Sequence, residues 1–273
     1  MASEGAAQVR LSSGSHRGRS VLLLTLSVVV SACGSDVTDP GDDPGPPNGY
    51  PTSYDHTRSA GASARDLLSA SDFDRLIVQV QYVSGFRPSD EGLQLLEAFL
   101  NERLDKPGGI EIQVDEPLDI ESQPTYTVAQ VRAIEDQNRT AYTGDGTLAL
   151  YLLFLDGEYD EQANVLGIAY NNTSMALFEE KVKQHSGGPL EPSEATVEGV
   201  VASHEVGHLL GLVNNGSAMQ TEHQDEGNGR HCDNENCLMH YAVRTTDVIA
   251  NLLDGMPELD QDCIDDLQAN GGL

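Results

Sequence analysis

The segment VEGVVASHEVGHLLGL, Val197 to Leu212, sets the tightest limit on what this chain can fold into. Its apolar residues predict a helix from about Ser193 to Leu210 that is buried nearly all round, with Gly211 placed to turn the chain after it. Yet the same helix carries His204, Glu205 and His208. Buried imidazoles and carboxylates need partners, so a solvated surface helix is a poor reading. Residues four apart lie on one helical face, roughly 5–6 Å between Cβ atoms. His204 and His208 can therefore direct ring nitrogens at one ion, at Zn–N distances of about 2.0–2.1 Å. Glu205 borders that ion without having to bind it. It can take a proton from an attacking water and later hand it to a leaving amine, which is the mechanism behind the H-E-x-x-H pattern.

A catalytic zinc takes three protein ligands and keeps one position open, and the helix supplies only two. Beyond Gly211 the candidates are His231 and His223, then Asn214 and Asp225. The neutral amide of Asn214 is a weak zinc donor, and His223 lies in the polar, acidic stretch QTEHQDEGNG. From the residues alone the third ligand stays open among these four.

The rest of the chain bounds the setting. Of 273 residues, 44 are acidic and 15 basic, a formal net charge of −29. Such a field repels nucleic acid and anionic lipid, and no basic stripe offsets it. Arg10, Arg17 and Arg19 precede the apolar run VLLLTLSVVV and the small residues SAC. This order predicts a secretory signal, too short for a comfortable membrane span. VSAC also resembles the bacterial lipobox, which implies cleavage after residue 32 and an acylated Cys33 as the mature terminus. The expected location is the bacterial cell envelope, with the membrane reached only through that lipid. Residues 33–68, rich in Pro, Gly and Asp at their start, are expected to be a disordered tether. Cys232, Cys237 and Cys263 in an oxidising compartment predict one disulfide and one free thiol.

From residue 69 to 273 no repeat or second linker interrupts the chain, so one domain is expected, working as a monomer. RLIVQVQYV (Arg75 to Val83) reads as a strand. A helix opened by Ser89 follows, with Leu93, Leu96, Phe99 and Leu100 on one face, and KPGG stops it. IEIQV is a second strand and TVAQVRAIEDQNR a second helix. TLALYLLFL (Thr147 to Leu155) is a near-continuous apolar strand, as expected inside a covered sheet. NVLGIAY and SMALFEEKV give two further strands, and the tail a short C-terminal helix ending at glycine. The fold class is α+β: a mixed, twisted sheet with helices packed on it.

HEVGHLLGL resembles the start of the metzincin signature, in which the third ligand closely follows the glycine; Asn214 stands there instead. Further on, HCDNENCLMHY (His231 to Tyr241) resembles archaemetzincins, in which the third histidine precedes cysteine, four residues, cysteine, one residue and the Met-turn methionine. The resemblance implies a metzincin-like domain in which His231 is the third zinc ligand, displaced by an insertion of 19 residues, Leu212 to Arg230. It implies that Met239 floors the site. The MHY ending is similar to that of astacins and implies that Tyr241 hydrogen-bonds the oxyanion. By the same analogy Ser174 to Val182 is the edge strand along which an extended peptide lies. Archaemetzincins hold a second zinc with four cysteines; with three here, a disulfide of Cys232 with Cys237, or with Cys263, is expected in its place. The acidic residues of the insertion are weak candidates for calcium.

These readings converge on a zinc-dependent endopeptidase acting on protein or peptide substrates. Two alternatives remain: a surface-anchored binding lipoprotein with a non-catalytic metal site, and a zinc hydrolase of a non-protein amide. Retention of Glu205 disfavours the binding lipoprotein, because a purely structural site has no use for a base.

Overall fold

The computed structural model describes residues 54–246 and 256–273. The expected signal segment (1–32), Cys33 and the expected tether as far as residue 53 lie outside the described residues. Among the described residues no helix is long and apolar enough to cross a membrane.

The chain begins with α1 (Ala64–Leu68) and β1 (Arg75–Tyr82), followed by α2 (Asp90–Arg103), β2 (Gly109–Val114), β3 (Thr125–Tyr126) and α3 (Val128–Asn138). Next come β4 (Thr147–Leu155), β5 (Glu158–Tyr159), β6 (Gly167–Asn171), β7 (Ser174–Phe178), α4 (Glu179–Gln184) and α5 (Glu194–Leu209). A 3₁₀ turn (Tyr241–Arg244) and α6 (Gln261–Ala269) complete it. The main sheet has the order β2-β1-β4-β7-β6. Only β6 runs antiparallel to its neighbour, so the sheet is mixed and the class is α+β.

β4 lies at the centre, and its alternation separates two apolar layers. Leu148, Leu150, Leu152 and Phe154 face α2 and α5, whereas Tyr151, Leu153 and Leu155 face the layer that holds Val131 of α3. A strand buried on both faces reads as a near-continuous apolar run, which is why TLALYLLFL carries so few polar groups. α2 starts where expected: the Ser89 hydroxyl accepts from the Gly92 N–H at 3.0 Å. The carboxylate of Glu198 on α5 accepts from the Ser89 backbone N–H, 3.0 Å, and from the Ser89 hydroxyl. One helix thus caps the other and fixes where α5 lies against the sheet.

Three expectations are corrected here. Residues 54–68 are not tether: Leu67 and Leu68 are fully buried, and Asn172 in the β6–β7 turn donates to the Asp55 carbonyl and the Ser63 hydroxyl. SMALFEEKV is not one strand, because the chain enters α4 at Glu179. Nor is it the edge. β7 pairs on both sides, with β4 and β6, and β6 is the outer strand.

Candidate metal centre

α5 is buried from Val197 through Leu209, and it places His204 and His208 one turn apart with ring centroids 4.8 Å from each other. His231 comes to meet them. Its ring centroid lies 5.3 Å from that of His204 and 5.0 Å from that of His208. Each of the three offers a nitrogen within 4.8 Å of the others, and all three are buried.

Backbone carbonyls set two of the tautomers. His204 Nδ1–H donates to the Leu238 carbonyl at 2.7 Å, and His231 Nδ1–H donates to the Asn228 carbonyl at 2.6 Å. The Nε2 lone pairs are left pointing inward, and both Nε2 atoms are buried without a partner. Unpaired buried nitrogens are costly, and an ion between the rings would satisfy them. Metal-binding histidines typically anchor their other nitrogen in this way. Burial, then the neighbouring imidazoles, holds His204 and His208 well below the usual histidine range; burial brings His231 down to about 4. The rings are therefore neutral at pH 7, the form a metal requires. Three neutral nitrogen donors on one side of a cleft fit a zinc ion that keeps an open position.

Glu205 is fully buried, and neither carboxylate oxygen has a hydrogen-bond partner. Burial pushes it up to about 7, opposed by the charge of Arg244. It lines a cleft of about 590 Å³ together with His208, His231 and residues Ile168, Ala169 and Tyr170 of the outer strand β6. Beneath the helix, Met239 is fully buried so close to Gly207 that a Cβ there would stand 2.2 Å from its sulfur. Met239 thus forms a floor under the α5 turn that carries both helical histidines.

The turn that ends α5 directs the chain away from the histidines. Gly211 has φ +74, and a Cβ on it would lie 2.4 Å from the backbone nitrogen of Ser217. Val213 and Asn214 follow, also in the left-handed region, at φ 53 and φ 59. Asn214 then turns its amide to Gln224, 3.2 Å. Gly211→Ala should therefore lose on the order of 2–4 kcal/mol, combining left-handed strain with a displaced backbone. Urea unfolding of the chelated protein measures this apart from any metal effect.

His223 is absent from this group. It is buried beside Cys232, its Nδ1 3.4 Å from the sulfur, and its Nε2–H donates to Asp266 at 2.9 Å. Asp225 accepts from the Gly227 N–H and the Asn228 amide, which orders the turn that carries His231. Tyr241 is half-exposed and packs on His240, outside the cleft lining. Cys232, Cys237 and Cys263 are all free and buried, so the expected disulfide is not formed. His223 at the cysteine cluster gives the sulfurs a different neighbour from the one the compartment argument supplies.

Sequence reading missed Arg244. It lies one 3₁₀ turn beyond Tyr241, lines the cleft with Glu205 and His231, and has a buried Nε without a partner. The only signal available was a basic side chain close behind the Met-turn in a strongly acidic chain.

No protein-family model matches the chain, and no curated protein does. Among solved structures 27 chains match. One of them, metalloproteinase-II from Bacteroides fragilis, aligns at a TM-score of 0.42 and 14% identity, covering 81% of this chain. This chain spans 58% of that one's length.

Proposed function

We propose that this chain is a zinc-dependent endopeptidase of metzincin type, closest in motif to archaemetzincins. One observation carries the reading. Three buried imidazoles, two of them with Nε2 freed by carbonyl bonds at Nδ1, meet beside a buried, unpartnered carboxylate in an open cleft.

His204, His208 and His231 would hold the ion, and Zn²⁺ bound there supplies Lewis acidity toward water and a substrate carbonyl. Glu205 takes the proton of the attacking water and delivers it to the leaving amine as the C–N bond breaks. Arg244 faces the same cleft and neutralises charge developing on the carbonyl oxygen, the role first expected of Tyr241. β6 favours an extended peptide as substrate, because it is the outer strand of the sheet and lines the cleft. The signal and the lipobox-like VSAC support export and anchoring through Cys33 at the bacterial envelope.

The test uses the full chain and peptides blocked at both ends. Cleavage should vanish on chelation and return with Zn²⁺. Cleavage that persists in the chelated protein, or hydrolysis of non-peptide amides alone, would overturn the reading. Arg244→Ala should lower kcat by about 10²–10³-fold, the usual effect of losing one oxyanion donor, with little change in KM. An unchanged kcat removes Arg244 from the chemistry.

A further inference from the structure

The structure assigns a second zinc site, separate from the three-histidine centre, to His223, Cys232, Cys237 and Cys263. Its distinctive ligand is His223, supplied by the 19-residue segment Leu212 to Arg230 where no fourth cysteine exists.

Three of the separations are close to the edges of a coordination tetrahedron. With Zn–S near 2.3 Å and Zn–N about 2.0–2.1 Å, tetrahedral edges are about 3.8 Å between sulfurs and about 3.6 Å between sulfur and nitrogen. Cys237 and Cys263 have their sulfurs 3.6 Å apart. His223 Nδ1 is 3.4 Å from the Cys232 sulfur and 3.9 Å from that of Cys263. The Cys232 sulfur lies within 4.8 Å of the Cys263 sulfur and of a ring nitrogen of His223. All four side chains are buried.

The surroundings are those of a ligand set. Asp266, fully buried, accepts from His223 Nε2–H at 2.9 Å, which leaves the Nδ1 lone pair facing the sulfurs. This carboxylate–histidine pairing is the usual outer shell of a zinc-binding imidazole. The backbone N–H groups of Met239 and Asp260 both point at the Cys237 sulfur, each 3.4 Å away, and so favour its thiolate form. Asp260, 3.2 Å from the Cys232 sulfur, groups with His223, Cys232 and Cys263 within 4.8 Å and so competes with Cys237 for the fourth position. Its carboxylate, however, is engaged by the Cys263 N–H, which it caps, and by the Asn234 amide. Asp260 therefore belongs to the outer shell.

Four protein donors close the site, so this ion is structural and leaves no position for water. Binding releases the remaining thiol protons to solvent. The ion would join three stretches of chain: the segment carrying His223, the loop Cys232 to Cys237, and α6 through Cys263. Because Cys232 follows His231 directly, the same ion would fix where the third histidine of the first centre stands. A long polar insertion is thereby secured at its middle.

The test is metal content and spectroscopy of the full chain, with zinc and then with cobalt(II) in its place. Two zinc ions per chain are expected. The cobalt form should show sulfur-to-cobalt charge-transfer absorption, which the all-nitrogen centre cannot give. That absorption should survive His204→Ala, fall in His223→Ala and vanish in Cys263→Ser. In the zinc-loaded wild type, three thiols should react with a thiol reagent only after chelation, a result that depends on no variant folding. A single zinc without the absorption, three thiols equally reactive with and without zinc, or a disulfide among the three cysteines would each overturn the site. An unchanged absorption and zinc count in His223→Ala would overturn the assignment of His223. None of these readouts needs peptidase activity, so the site stands or falls apart from the proposed reaction.

Discussion

Glu205→Gln is expected to lower kcat for peptide cleavage by about 10²–10⁴-fold, the range that a positioned general acid–base contributes, while zinc content stays unchanged. Glutamine has nearly the same shape as glutamate, so the packing against α5 and β6 survives. It cannot accept the proton of the attacking water. Glutamine keeps a side-chain oxygen that can accept from the nearby Ala169 backbone N–H, so little that holds the fold together is lost. Loss of activity together with loss of zinc would mean that Glu205 serves the metal and not the proton. Undiminished turnover would remove it as the base.

His231→Ala is expected to cost the first centre its metal and, with it, the activity. Loss of an outer-shell partner alone typically costs about 10–100-fold in metal affinity; loss of one of three direct ligands should cost more. The site cannot substitute another donor. Asn214 is bonded to Gln224, His223 to Asp266, and Tyr241 packs on His240 away from the cleft. Zinc titration of the variant, followed by cleavage assays at saturating zinc, measures both effects. His223→Ala should keep Glu205-dependent cleavage, although with reduced stability. The reverse pattern, cleavage surviving in His231→Ala and lost in His223→Ala, would exchange the two assignments.

Much of the fold was readable because its signals are local. β4 announces itself as a near-continuous apolar run, α2 by Ser89 and its apolar face, and α5 by polar groups inside an apolar helix. What failed depended on partners distant in sequence. Strand order is a property of pairing, so nothing in SMALF says that it lies inside the sheet and GIAYN at its rim. Residues 54–68 look like linker by composition; their order comes from Leu67, Leu68 and hydrogen bonds to Asn172, over a hundred positions away.

The site divides in the same way. Helical spacing brought out His204, Glu205 and His208, and the cysteine and methionine pattern around it brought out His231. Three cysteines fall one short of the four that hold a second zinc in archaemetzincins, so in an oxidising compartment their sequence predicts a disulfide. Among them stands His223, a candidate ligand for the other ion. Arg244 was invisible because an isolated arginine has no spacing to read; the 3₁₀ turn that brings it to the cleft forms only in the folded chain.

Crystals of the full chain grown with zinc, with diffraction recorded on both sides of the zinc absorption edge, give the most direct test. The account predicts an anomalous peak about 2.0–2.1 Å from a ring nitrogen of each of His204, His208 and His231, with its remaining side open to the cleft beside Glu205. A peak that excludes His231, or one whose fourth position is filled by a further protein side chain, would contradict it.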